Sequence, residues 1–254
     1  MSQLAAIDVV TAATHLMRAG QWTAATALLT ATNAEDPAER ATLTLALAEV
    51  AVDQDFAQRT NHGSAALEAV LDDSWDLEFL KFRKDYSTAL FGGAAGDLSE
   101  RALALIAQAP DDARRGMANF YAGVMADNLY TKPAQAFAHY EEALALGEKS
   151  QDELLISLAL RHLGDHAHTA GDLVLARTHW ERSTELRQKV GHLLGALAQQ
   201  SLLAMLLRDE GDIAGSRALA TEVNRWARQV DLEFIVRGTA ELMGSPNAAG
   251  TPAP

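Results

Sequence analysis

The sequence predicts an all-α protein: an α-solenoid of about six helix-turn-helix repeats plus a C-terminal helix over residues 1–244, then a flexible tail at 245–254. Three observations predict it. Apolar residues recur at helical spacing along almost the whole chain, and no alternating strand pattern interrupts them. Turn signals of the Gly-Asp type return, Gly171 and Gly211 being forty residues apart. The chain has 254 residues, 48% of them apolar, and only six Pro. That is enough apolar material for a large core and too much for a disordered chain.

Helices are expected near 3–19, 21–33, 38–56, 63–72, 75–91, 97–109, 113–129, 133–149, 152–170, 172–190, 192–210, 212–229 and 231–243. Gly20-Gln21 parts the first two. Asn61-His62-Gly63 is a weaker turn for the second pair. Gly96-Asp97 serves the third, and Thr131-Lys132-Pro133 the fourth, where Pro133 suits a first helical turn. Gly171-Asp172 is the clearest punctuation: Gly accepts the left-handed conformation that ends a helix, and Asp caps the next one. Gly211-Asp212 repeats it, and the last helix is unpaired.

Small residues sit at matching offsets. Seven residues before the turn glycines stand Ala13, Ala89, Gly164 and Ala204. Five after stand Ala25, Ala176 and Ser216. Small side chains at both places let two helices cross closely. The Gly96 unit departs, with Arg101 at that offset and Ala102 one further on.

These residues resemble tetratricopeptide repeats: Leu163-Gly164, Gly171-Asp172, Ala176, Trp180 and Ser183; then Leu203-Ala204, Gly211-Asp212, Ser216 and Ala220; and in part Ala136, Tyr140 and Ala143. The resemblance covers about 116–230, with a spacing longer than the ~34 residues of the standard repeat. It is similar to the extended repeats in sensor regions of actinobacterial transcription regulators. The resemblance implies a superhelix whose concave groove docks a peptide or partner-protein segment, as in a regulator or adaptor. It implies no reaction. The family's carboxylate clamp needs several Lys, Asn and Arg on successive first helices. Only Arg161 falls in a suitable place, so chaperone binding is not expected.

Charge narrows the partners. The net charge is −13, with 9 basic and 18 acidic residues in 1–127 and 12 and 16 in 128–254. Neither half carries the basic stripe that nucleic acid or an anionic membrane requires. The N-terminus lacks a signal-peptide pattern and no apolar run is long enough to span a bilayer, so a cytoplasmic protein is expected. With no Cys there is no disulfide or thiol chemistry.

Five of the eight His lie between 162 and 192. On the helix expected at 152–170, Arg161, His162, Asp165 and His168 fall on one face, while Leu160, Leu163 and Ala167 take the packing face. Asp165 is placed to pair with His162 or His168 as acid and base, or to orient Arg161. Tyr121, Asp127 and Asn128 on a preceding helix extend this groove, beside Phe120. Two functions follow: the docking of a peptide, or a small-molecule site or cofactor-independent enzyme of secondary metabolism. The same spacing also describes a solvated helix face with incidental pairs. His162 and His166 have zinc-helix spacing but lack the intervening Glu and a third ligand, so no metal is expected, and no cofactor motif appears. His139 and His179 read as repeat-related surface residues. Trp75, Phe79, Phe82 and Tyr86 form an apolar stripe, either core or groove wall. "FGGAAGD" at 91–97 reads as a helix-ending loop. Phe234, Ile235 and Val236 offer an apolar surface through which a homodimer would form.

Overall fold

The computed structural model describes residues 5–71 and 73–244, and every regular element among them is an α-helix. The tail at 245–254 lies outside the described residues. The helices are α1 (Ala6–Arg18), α2 (Trp22–Ala31), α3 (Pro37–Gln58), α4 (Gly63–Glu68), α5 (Trp75–Leu90), α6 (Leu98–Gln108), α7 (Asp112–Asn128), α8 (Pro133–Ser150), α9 (Glu153–Thr169), α10 (Leu173–Lys189), α11 (Leu193–Asp209), α12 (Ile213–Gln229) and α13 (Glu233–Leu242). All thirteen sit where the periodicity puts them. The largest departure is α4, which stops at Glu68. None of the described helices is long and apolar enough to cross a membrane.

The chain divides into two compact units, 1–109 and 110–254, a boundary that the repeat spacing does not mark. Within each unit, neighbours in sequence are neighbours in space, the stacking of a helical-repeat solenoid. In the first, α1 packs on α2 and α3, α3 on α4 and α5, and α5 on α6. In the second, each of α7 to α12 packs on its successor, and α13 covers α11 and α12.

Local chemistry fixes the helix ends. Asp97, Asp111, Asp152, Asp172 and Asp212 each accept a hydrogen bond from a backbone N–H two or three residues on. Such a cap contributes about 1 kcal/mol. Gly171 takes the left-handed conformation (φ +82°) after α9. The third turn differs from expectation. α5 ends at Leu90 and the left-handed residue is Gly92 (φ +86°), not Gly96, so the loop is longer and Asp97 alone acts at its far end. The weak turn before α4 is built by a distant residue. Buried Asp55 accepts from the Thr60 hydroxyl and from the N–H groups of His62 and Gly63, at 2.7–2.8 Å.

The small-residue positions of the Gly20, Gly171 and Gly211 units are buried helix crossings, whereas Ala89 of the Gly96 unit is only partly buried. A Cβ at Gly164 would overlap the Trp180 indole. Gly123 stands in the same relation to the ring of Tyr140. In the next pair Ala204 and Ala220 are both fully buried. The aromatic of one second helix thus lies in a notch on the preceding first helix.

Two expectations about apolar surfaces resolve into core. Phe79, Phe82 and Tyr86 are buried within the first unit, and Trp75 stacks on Phe79 while donating from Nε1 to the Leu105 carbonyl. The stripe is packing. At the C-terminal end Ile235 and Val236 are buried in the cluster formed with Leu197, Val223, Ala227 and Leu232. Only Phe234 of the expected dimer surface is exposed, because α13 turns its apolar side onto α11 and α12.

Candidate functional site

The polar face of α9 is held in place from behind. Trp180 Nε1 donates to the Arg161 carbonyl at 2.9 Å, and Ser183 Oγ to the Ser157 carbonyl at 2.6 Å. These carbonyls are one helical turn apart, so α10 grips α9 along one line and fixes its rotation. Leu155, Ala159, Leu160, Leu163 and Ala167 are buried. Arg161, Asp165 and His168 are left half-exposed on another face.

Of the partners open to Asp165, Arg161 takes it, with Nη1 to Oδ2 at 2.7 Å. Burial raises the Asp165 carboxyl above the usual range, with Arg161 working against the rise. Of the acid–base pairs expected for Asp165, the one with His168 does not form. His168 Nε2 instead meets Asp209 Oδ2 on α11 at 2.9 Å. Arg208 and His168 together hold the Asp209 carboxyl low. His162 Nδ1 lies 3.7 Å from Asp165, too far for a hydrogen bond.

The His162 ring stays beside Arg161, whose Nη1 is 3.4 Å from both ring nitrogens, but lies against the neighbouring aromatic rings. It stacks on Tyr140 (centroids 4.8 Å apart, planes 16° from parallel) and lies 5.5 Å from Phe120. One residue along a helix is a rotation of about 100°. His162 is therefore at the edge of the face, where the aromatic surface of α7 and α8 captures it. Burial, then the positive charge of Arg161 and Arg187, pushes its pKa well down, so the ring is neutral.

Tyr121 meets Phe120 edge-on at 5.5 Å, and Asn128 is exposed at the end of α7. Asp127 does belong with α9. Its Oδ2 accepts the Tyr140 hydroxyl at 3.0 Å and lies 3.1 Å from His166 Nε2. An ionised carboxylate only accepts, so His166 Nε2 carries the proton in this bond.

Four participants lie beyond the sequence reading: Tyr140, His166, Arg187 and Asp209. Tyr140 carried a repeat signal, and its hydroxyl needed a partner once buried. Arg187 looks in the sequence like a basic residue ending a helix, a common dipole complement. Here it is 4% exposed, and desolvation, reinforced by Arg161, pushes its pKa down to about 9.

On another side of α9 an open groove of about 680 Å³ runs between α8 and α10. Phe137, Leu144, Leu163 and Leu175 line it, with Glu141, Glu148 and Asp172 among its polar groups. His166 and His179 also line it, and none of Tyr121, Asp127, Asn128, Arg161, His162, Asp165 or His168 does. His139 and His179 are half-buried rather than surface residues, and burial lowers the pKa of both. His139 Nδ1 is 3.0 Å from Asn119 Oδ1. Among the described residues no group of three or more His, Asp or Glu is placed to hold a metal ion.

No protein-family model matches the chain, and no curated protein matches it.

Proposed function

We propose that this protein is a binding module of the tetratricopeptide-repeat kind, a regulator or adaptor that docks a peptide or partner-protein segment across the polar faces of α7, α9 and α11. One observation carries the reading. Half-exposed polar side chains continue from one of these helices to the next. His166, at the border with the α8–α10 groove, joins α9 to Asp127 of α7, and His168 joins α9 to Asp209 of α11, with Arg161 and Asp165 between them. An extended segment presents amide and carbonyl groups at every residue. A row of fixed donors and acceptors on successive helices matches that periodic demand.

The pairing of the row favours docking over chemistry. Asp127, Asp165 and Asp209 are each already engaged by a cation or a ring nitrogen. They are fixed recognition groups rather than a poised base. Fixed side chains also lose less rotamer freedom when a ligand arrives.

A peptide array probed with the intact protein tests the reading. We expect discrete peptides to be retained, and the signal to fall when Arg161→Ala is used. An array with no peptide bound contradicts it.

A further inference from the structure

We infer that Arg187, together with Arg161, forms a subsite for a single carboxylate of the docked segment. This rests on the docking reading and adds to it the chemistry of one anchor.

The observation is a buried cation left unsatisfied. Arg187 belongs to α10 and is 4% exposed. Its side chain makes no hydrogen bond and no ion pair with any described residue, and Nε is sealed from solvent without an acceptor. A buried charge without a partner is among the most costly arrangements in a protein, and an apolar side chain of similar volume would avoid it. The fold nonetheless makes room for this one. Arg187 Nη1 occupies the place where a Cβ on residue 195 would project, and residue 195 is Gly. The neighbouring N-cap, His192, accepts the Gly195 N–H through Nδ1 at 2.9 Å and so presents a ring nitrogen already in use.

The surrounding charges define what is missing. Arg187 interacts electrostatically with Arg161 and Asp165. Two guanidinium groups stand against one carboxylate, and the adjoining His162 is neutral. Among the groups that act on Arg187 itself there is one surplus positive charge; Asp127, which also acts on Asp165, is taken up by His166. A carboxylate supplies one negative charge and a planar pair of acceptors for a guanidinium fork. A phosphate, nearly doubly charged at neutral pH, would overshoot that balance beside Asp165. Arg161 is 27% exposed in its side chain, which gives an entering group a first contact.

The test uses the full chain with sodium acetate as probe. NMR of the arginine Nε–H resonances follows Arg187 directly, its signal assigned by its loss in Arg187→Lys. We expect a saturable shift with acetate and none with sodium chloride at the same ionic strength. Thermal unfolding gives a second readout. In acetate-free buffer Arg187→Met should melt about 2–4 °C above the wild type, since it removes an unpaired buried charge. It should also lose the acetate-dependent rise in Tm that the wild type shows. An Arg187 resonance indifferent to acetate, or one that saturates with phosphate alone, overturns the proposal. So does an Arg187→Met chain that melts lower or fails to fold. Peptides retained on the array without an acetate response would sink this subsite and leave docking standing. An acetate response without peptide binding would do the reverse.

Discussion

The imidazole of His162 lies flat on the ring of Tyr140, their centroids 4.8 Å apart, and the Tyr140 hydroxyl runs on to Asp127. A first helix, a second helix and the helix before them thus meet at one aromatic stack. The stack converts the proton affinity of a single ring into a property of the fold.

That conversion predicts a pH dependence. The folded pKa of His162 is below its ordinary value of 6.5. Between the two values the unfolded chain binds more protons, so stability falls as pH drops below about 6.5 and continues to fall until the folded pKa is reached. One proton limits the slope to about 1.4 kcal/mol per pH unit. Urea unfolding at a series of pH values should show a shallower slope in His162→Gln over this window. Identical slopes would mean that the stack does not hold the ring neutral.

The notches at Gly164 and Gly123 predict a packing defect. Gly164→Ala forces a methyl group into the Trp180 indole, and Gly123→Ala does so at Tyr140. Each should cost about 1–3 kcal/mol by chemical denaturation, despite the higher helix propensity of Ala. Gly238→Ala, where a Cβ meets nothing within 4 Å, serves as the control and should be neutral or stabilising.

Asp127→Ala should leave the Tyr140 hydroxyl and His166 Nε2 without their acceptor. A loss of about 1–3 kcal/mol is expected for the stranded groups. Asp127→Asn, which keeps an acceptor oxygen, should recover part of it in the same unfolding assay.

Asn224 ties the last helix to the stack. Its Nδ2 donates to the Val236 carbonyl at 2.9 Å and to Thr239 Oγ1 at 2.8 Å, while Oδ1 accepts from Arg228. Asn224→Ala should cost about 1–3 kcal/mol. Hydrogen exchange should show α13 losing protection first, with α9 unchanged.

The helices were legible in the sequence because their ends are local. A left-handed Gly and a capping Asp, as at Gly171-Asp172, act over two or three residues. The α9 face was legible for the same reason, and Arg161, Asp165 and His168 lie on it as helical spacing requires. Partnerships between helices were not legible. His166 with Asp127 and His168 with Asp209 join residues 39 and 41 apart, and pairing at that range depends on how neighbouring helices are rotated. His162 sits at the edge of its predicted face, still beside Arg161, because a 100° step put it within reach of Tyr140. Arg187 gave no sign of burial, since its sequence neighbourhood is that of any polar helix end.

Isothermal titration of the strongest array peptide against single-site variants puts the docking face to the most direct test. Arg161→Ala and His168→Ala should weaken binding about tenfold or more, as loss of a charge-assisted contact implies. Arg182→Ala, which removes an exposed Arg paired with Glu185 on α10, should bind like the wild type. Equal affinity across all three variants, or a loss confined to Arg182→Ala, would contradict the assignment of the ligand to the α9 face.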